Sequence, residues 1–160
     1  MKLLVFSDSH SHFDKMKDAI EMHKAKCDCI LFLGDGIRDI EIIKDMYPQI
    51  PIFYVKGNCD LMAQDVEIEQ LLSLDNFKIL ITHGHKYGVK GGLGTIAYRA
   101  RELNADAVFF GHTHVPFDNI IEVSGKNIHL FNPGSIGYEG YFGVVNTSGK
   151  VLIKGHGKIQ

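Results

Sequence analysis

Five short apolar runs in this chain each end in side chains that can hold a divalent cation. The densest case is FFGHTH, where the run Ala107-Val108-Phe109-Phe110 stops at Gly111 and gives way to His112 and His114. Runs this short, rich in β-branched and aromatic residues, read as buried strands. Extended backbone through the motif would put His112 and His114 on one face. The other four endings are Asp8-Ser9-His10, Gly34-Asp35-Gly36, Gly57-Asn58-Cys59-Asp60 and Thr82-His83-Gly84-His85. Brought together, they would set imidazoles beside two carboxylates, Asp8 and Asp35, and the Asn58 amide. Mixed nitrogen and oxygen donors suit Mn²⁺, Fe²⁺, Ni²⁺ or Zn²⁺. Asp8, His10, Asp35, Asn58, His83, His112 and His114 are more donors than one tetrahedral zinc needs. Two metals about 3.5–4 Å apart, sharing one carboxylate, would use them all. Such a pair clamps the attacking and leaving oxygens of a phosphoryl transfer and lowers the pKa of a bridging water. No Walker A, Rossmann or G-x-S-x-G motif competes with this chemistry.

The elements that must position these residues can be read from periodicity. Runs at 2–6, 28–33 and 52–55 alternate with helical patterns at 12–26 and around Ile40, Ile43 and Met46, the second closed by Pro48 and Pro51. That alternation indicates parallel βαβ units, whose ligands gather beyond the carboxyl ends of the strands. Residues 66–74 and 77–82 flank Asp75-Asn76, a two-residue hairpin turn. A glycine-rich turn at 88–94 precedes a helix predicted over 95–104. Two more hairpins are predicted, 119–123 with 127–131 around Ser124-Gly125-Lys126, and 141–145 with 151–154 around Thr147-Ser148-Gly149. The whole reads as a β core in two layers with helices outside, antiparallel toward the C-terminus.

Composition narrows the function classes. A chain of 160 residues with 45% hydrophobic content fits one domain over 1–160 with a core of its own. A net charge of −2 argues against affinity built on nucleic-acid phosphates. Cys27, Cys29 and Cys59 are odd in number and form no C-x-x-C pair, which suits a reducing cytoplasm. The opening MKLLVFSDSH is too short an apolar run for a signal sequence, and no stretch has the ~20 apolar residues of a membrane span. The expectation is a cytoplasmic, non-membrane domain.

In order, D-S-H, G-D-G, G-N-C-D, H-G-H and G-H-T-H resemble the motifs of the calcineurin-like metallophosphoesterase superfamily. The short length, T-H-G-H after a hairpin and N-P-G-S after the last histidines resemble its small, single-domain phosphodiesterase branch. The resemblance implies an α/β fold, a four-layer α/β/β/α sandwich. It implies one metal on Asp8, His10, Asp35 and His114, and a second on Asp35, Asn58, His83 and His112, with Asp35 as the bridge. Manganese comes first, with nickel, iron or zinc as alternatives. The implied reaction is in-line attack on a small phosphodiester by a hydroxide bridging the two ions, without a covalent enzyme intermediate. Asp35, Asn58 and Cys59 are the implied catalytic residues.

Cys59 departs from the many relatives that carry histidine there to protonate the leaving oxygen or stabilise the transition state. A thiol can donate a proton but brings no positive charge. Cysteine is common here in the small branch, which is associated with diester hydrolysis. The same small fold also serves as a protein-binding subunit of the retromer complex, where part of the metal set is altered, so a non-catalytic scaffold is one alternative. A nuclease or nucleotide phosphohydrolase of the same chemistry is another, and a homodimer through open sheet edges is a further expectation. His85 is left between a site contact and a surface residue. His12, His23, His129 and His156 read as surface or core residues, Cys27 and Cys29 as small buried hydrophobes, and Lys86, Arg99 and Arg101 as solvated charge. Gly134 and Ser135 read as a turn near the site.

Overall fold

The apolar runs fold as strands and the amphipathic stretches between them as helices. In a computed structural model that describes residues 1–160, the order is β1 (Lys2–Phe6), α1 (Phe13–His23), β2 (Cys29–Phe32), α2 (Ile37–Met46) and β3 (Ile52–Tyr54), followed by the hairpin β4 (Glu69–Leu74) and β5 (Phe77–Thr82). After these come α3 (Gly94–Glu102), β6 (Ala107–Phe109), β7 (Phe117–Val123), β8 (Lys126–Asn132), β9 (Tyr141–Ser148) and β10 (Val151–Lys158).

Two five-stranded sheets result, ordered β10-β9-β1-β2-β3 and β4-β5-β6-β8-β7. Each is mixed. β1, β2 and β3 run parallel, β9 lies antiparallel beside β1, and β10 pairs antiparallel with β9. In the second sheet β5, β6 and β8 run parallel and the edges β4 and β7 are antiparallel. The C-terminal half is therefore less uniformly antiparallel than its hairpins suggest, because β8 returns to pair with β6 in parallel.

Alternation along the strands sorts side chains into three cores. Leu3, Val5 and Leu31 of the first sheet meet Ile79, Ile81, Phe109 and Phe131 of the second. On the far face of the first sheet, Leu4, Phe6, Ile30 and Phe32 pack on Met16 and Ile20 of α1 and Ile40 and Ile43 of α2. On the far face of the second, Leu80, Val108 and Leu130 pack on Ile96, Ala97 and Ala100 of α3. Strands covered on both faces are apolar at consecutive positions, which explains runs such as LLVF and ILFL. The layers are α/β/β/α, as expected.

Several boundaries differ from the sequence reading. Residues 66–68 precede β4 rather than extending it. Met46 ends α2 but is 42% exposed, so it lies off the apolar face it was assigned to. The β7–β8 turn is Ser124-Gly125 alone, with φ of 49° and 76°, and Lys126 already belongs to β8. Positive φ at both central positions matches the right-handed twist of the flanking strands. The last hairpin turns at Gly149-Lys150, pairing Ser148 with Val151, and β10 continues to Lys158.

The carboxyl ends of β1, β2, β5 and β6 lead directly into the D-S-H, G-D-G, H-G-H and G-H-T-H motifs, β3 leads through Val55-Lys56 into G-N-C-D, and β8 runs into Asn132-Pro133-Gly134-Ser135. Phe109 and Phe131 stand fully buried just before two of these ends, their rings edge to face at 5.3 Å. Phe109→Ala is expected to lower the unfolding free energy by about 3–5 kcal/mol, read as a lower urea midpoint at unchanged slope.

Candidate metal centre

Five of the sequence-selected donors have backbone in the left-handed region: Asp8 (φ 55°), His10 (45°), Asp35 (59°), His112 (67°) and His114 (63°). Asp and His tolerate this region better than most residues, yet each such position is uncommon. Conformations of this kind cost of order 1–3 kcal/mol and persist where the surroundings enforce them. Here strand-end hydrogen bonds do so. Asp8 N–H donates to Gly34 O at 3.0 Å, His10 N–H to Asp35 O at 3.2 Å and Gly111 N–H to His83 O at 3.1 Å. His112 and His114 are thus not on one extended face; the turn sends them to different partners.

The side chains converge in two groups whose donor atoms lie within 4.8 Å of one another, Asp8–His10–His114 and Asp35–His83–His112. Asp35 joins them. Its Oδ2 stands 3.3 Å from His83 Nε2 and 4.0 Å from His10 Nε2. Asp8 Oδ1 lies 3.2 Å from His114 Nε2, 3.7 Å from His83 Nε2 and 3.9 Å from His10 Nε2. Asp8 Oδ1, His10 Nε2 and His83 Nε2 are buried without a hydrogen-bond partner. A buried polar atom left so costs about 1–3 kcal/mol, and three aimed at one small space fit cations seated there.

Residues around this space hold it in shape. His83 Nδ1 donates to Leu33 O at 2.7 Å, which leaves the Nε2 lone pair turned inward. Asp35 Oδ1 accepts from Cys59 N–H at 2.8 Å, keeping Oδ2 free for the centre. Asp60 accepts from four backbone N–H groups: Asp35 at 2.8 Å, Gly57 at 2.8 Å, Gly36 at 2.9 Å and Ile37 at 3.0 Å. Gly57 has to be glycine, because a Cβ there would sit 2.1 Å from Asp35 Oδ1. On the other side Ser135 Oγ donates to Asp8 O, and Asn132 Nδ2 donates to Gly111 O and Thr113 Oγ1.

Comparison with known proteins gives this arrangement a family. The model of the calcineurin-like phosphoesterase superfamily domain matches residues 1–149. The chain belongs to that superfamily. It is 38% identical over 137 residues to the probable metallophosphoesterase YsnB of Bacillus subtilis, covering 85% of this chain and 75% of that one. It is 26% identical over 154 residues to phosphodiesterase MJ0936 of Methanocaldococcus jannaschii, covering 84% and 83%. Among solved structures, Vps29 from Entamoeba histolytica in complex with zinc superposes with a TM-score of 0.70 at 21% identity, covering 99% of each chain. That last likeness is one of fold.

Charge in the superfamily site is strongly coupled. Burial pushes the Asp35 carboxyl up, but His83 close beside it and the Cys59 N–H hydrogen bond hold it well below the usual range. His83 rises above its ordinary value: burial opposes the proton, and the close Asp35 and Asp8 carboxylates outweigh that. His112 falls to about 4 through burial and the positive charges of His83 and Lys90. Cys59 is pushed up to about 11 by burial and the Asp35 carboxylate beside it, so it is a thiol at neutral pH.

Asn58 and Cys59 lie exposed at the rim, the Asn58 amide donating to Cys59 Sγ at 3.5 Å. Cys59 also makes a third donor group with His10 and Asp35. His85 lies tilted against His83 and edge-on to His112, at 5.5 and 6.1 Å between ring centroids, and its buried Nδ1 has no partner. His12 is exposed, His23 and His129 are half-buried, and His156 donates to Asn132 O. Cys29 is buried, and Cys27 is half-buried, with its thiol donating to Cys29 O. Arg99 is not free charge but an ion pair with Glu69 at 2.6 Å.

Sequence reasoning missed Asp39, Asp60, Asn132 and Tyr138 and undervalued Ser135. Asp39 Oδ2 accepts from Ser9 Oγ and Ser11 N–H. The exposed Tyr138 ring lies against His10 and His114. The available signal was the placement of Asp60 and Ser135 inside motifs already singled out. Asp60→Ala is expected to cost about 2–3 kcal/mol of stability and to weaken Mn²⁺ binding, read by urea unfolding and by calorimetric titration.

Proposed function

We propose that the chain hydrolyses phosphodiesters with the help of two divalent cations, one on Asp8, His10, Asp35 and His114 and the other on Asp35, Asn58, His83 and His112. The observation that carries this reading is the set of buried, unpartnered donor atoms, Asp8 Oδ1, His10 Nε2 and His83 Nε2, converging beside Asp35. Cations bound there supply Lewis acidity to the phosphate oxygens and lower the pKa of water to give a nucleophile. Manganese is the first choice, and the same donors accept nickel, iron or zinc.

The chain's own residues do the rest. Asp35 spans both donor groups while Cys59 N–H and the loop tied to Asp60 fix its orientation. His112, neutral at physiological pH, offers a lone pair without first losing a proton. Asn58 at the rim can donate to a phosphate oxygen. The protonated Cys59 thiol can give its proton to the departing ester oxygen, as a weaker donor than a histidinium. That suits a diester, and the relative MJ0936 carries the name phosphodiesterase. The unpaired cysteines and the open edges β3, β4, β7 and β10 support a cytoplasmic setting and a homodimer as parts of the same reading.

A second reading is a scaffold for protein partners, favoured by the fold shared with Vps29. The complete donor set weighs toward catalysis. A nuclease of the same chemistry would need a basic surface, and the net charge is −2.

The test is hydrolysis of a chromogenic aryl phosphodiester by metal-stripped protein titrated with Mn²⁺, beside Asp35→Asn. Activity is expected to appear with metal and to fall more than about a hundredfold in the variant. Protein that binds Mn²⁺, Ni²⁺, Fe²⁺ and Zn²⁺ but hydrolyses no diester with any of them would point to the scaffold. Cys59→Ser, which keeps a donor, is expected to retain most diester activity, within about tenfold by kcat.

A further inference from the structure

Next to the metal centre is a cleft of about 550 Å³ that the reaction itself leaves without a use. His10, Asp35 and Cys59 contribute to its wall, so it opens onto the site. The rest of the wall includes Arg38 and Glu41 of α2, and Leu61 and Met62 just after G-N-C-D. Its volume falls in the range of pockets that enclose small organic groups, about 300–1,000 Å³, and is more than a bare phosphate requires.

The free groups in this cleft specify what would fit. Asp39 and Asp60 also line it, but their oxygens are taken up by Ser9, Ser11 and four backbone N–H groups. Arg38 and Glu41 are exposed and stand three residues apart on α2, and neither takes part in an ion pair of the chain. One unengaged donor fork and one unengaged acceptor therefore share the cleft. Leu61 and Met62 are 81% and 84% exposed, large apolar side chains left in water beside a reactive centre. Covering them with an apolar face is favourable.

An anionic group would meet Arg38 but be repelled by Glu41, Asp39 and Asp60. A plain alkyl group would desolvate Arg38 and Glu41 without pairing either. We infer that the cleft binds one ester group of the phosphodiester, and that this group is neutral, flat and of nucleoside size, with both hydrogen-bond donors and acceptors on its edge. The inference rests on the phosphodiesterase reading and adds the substrate class to it. Arg38 and Glu41 pair with the edge of the ring system, and Leu61 and Met62 cover its face.

The experiment compares two diester probes on the Mn²⁺-loaded protein, adenosine 5′-(methyl phosphate) and dimethyl phosphate. Calorimetry measures binding of each to wild type, Arg38→Ala, Glu41→Ala and the double variant Leu61→Ser/Met62→Ser, with aryl diester hydrolysis assayed alongside. Wild type is expected to bind the nucleoside diester at least about tenfold more tightly than dimethyl phosphate, and each variant to lose most of that ratio. A merely structural role for these residues would weaken both probes alike and preserve the ratio. Equal binding of the two probes by wild type, or a ratio that survives all the variants, overturns the inference. Preference for the nucleoside diester without hydrolysis of the aryl diester would count against the catalytic reading and leave the cleft assignment standing.

Discussion

The Asp60 carboxylate is the interaction on which the rest of the centre depends. It accepts from the N–H groups of Asp35, Gly36, Ile37 and Gly57, four backbone donors that otherwise have no partner in the loop. Two of them belong to the start of α2, where a negative charge also meets the positive end of the helix dipole. Through these bonds one side chain joins the loop after β2 to the loop after β3. It holds Asp35 at a φ of 59° and brings Cys59 N–H to Asp35 Oδ1. Remove that charge and the Asp35 carboxylate, which lies beside both His83 and His10, loses its fixed direction.

A corresponding brace operates across the two sheets. Asp8 follows β1 in the first sheet, while His112 and His114 follow β6 in the second. His112 N–H donates to Asp8 Oδ2 at 3.1 Å, and Ser135, after β8, binds Asp8 O. The cost of five left-handed donor residues is offset by packing below and hydrogen bonds between loops, since no single loop could enforce it alone. Gly111 shows how close the sheets come at this point, because a Cβ there would sit 1.9 Å from Ser7 Oγ. The inter-sheet core beneath, with Phe109 and Phe131 fully buried, keeps the two halves of the site at a fixed separation.

Much of this was legible in the sequence because it was written in local signals. The consecutive apolar positions of LLVF and ILFL gave the strands and their burial on both faces. The motif at each strand end gave the side chains that converge, and their order gave the superfamily. What stayed hidden was non-local. The four acceptor bonds of Asp60 depend on two loops meeting, and nothing in G-N-C-D alone says that its carboxylate takes backbone donors rather than facing the imidazoles. Tyr138 reaches His10 and His114 from a segment without periodicity. The parallel pairing of β6 with β8 could not be seen beneath the strong local hairpin of β7 with β8. His112 and His114 leave the extended conformation for a related reason: after Gly111 the hydrogen bonds to His83 and Asp8 override the strand geometry.

Division of labour among the carboxylates explains how so many acidic groups can crowd one site. Asp60 and Asp39 spend their charge on backbone and hydroxyl donors, so neither competes for a cation. Asp35 and Asp8 each give one oxygen to the backbone and turn the other inward. In the absence of cations, His83 answers that inward negative charge, which is why its proton is held more tightly than an ordinary histidine's despite complete burial. Burial and the positive charges of His83 and Lys90 drive His112 the other way. The same inward field would favour a divalent cation over a proton, because a cation can engage several of these donors while a proton satisfies one pair.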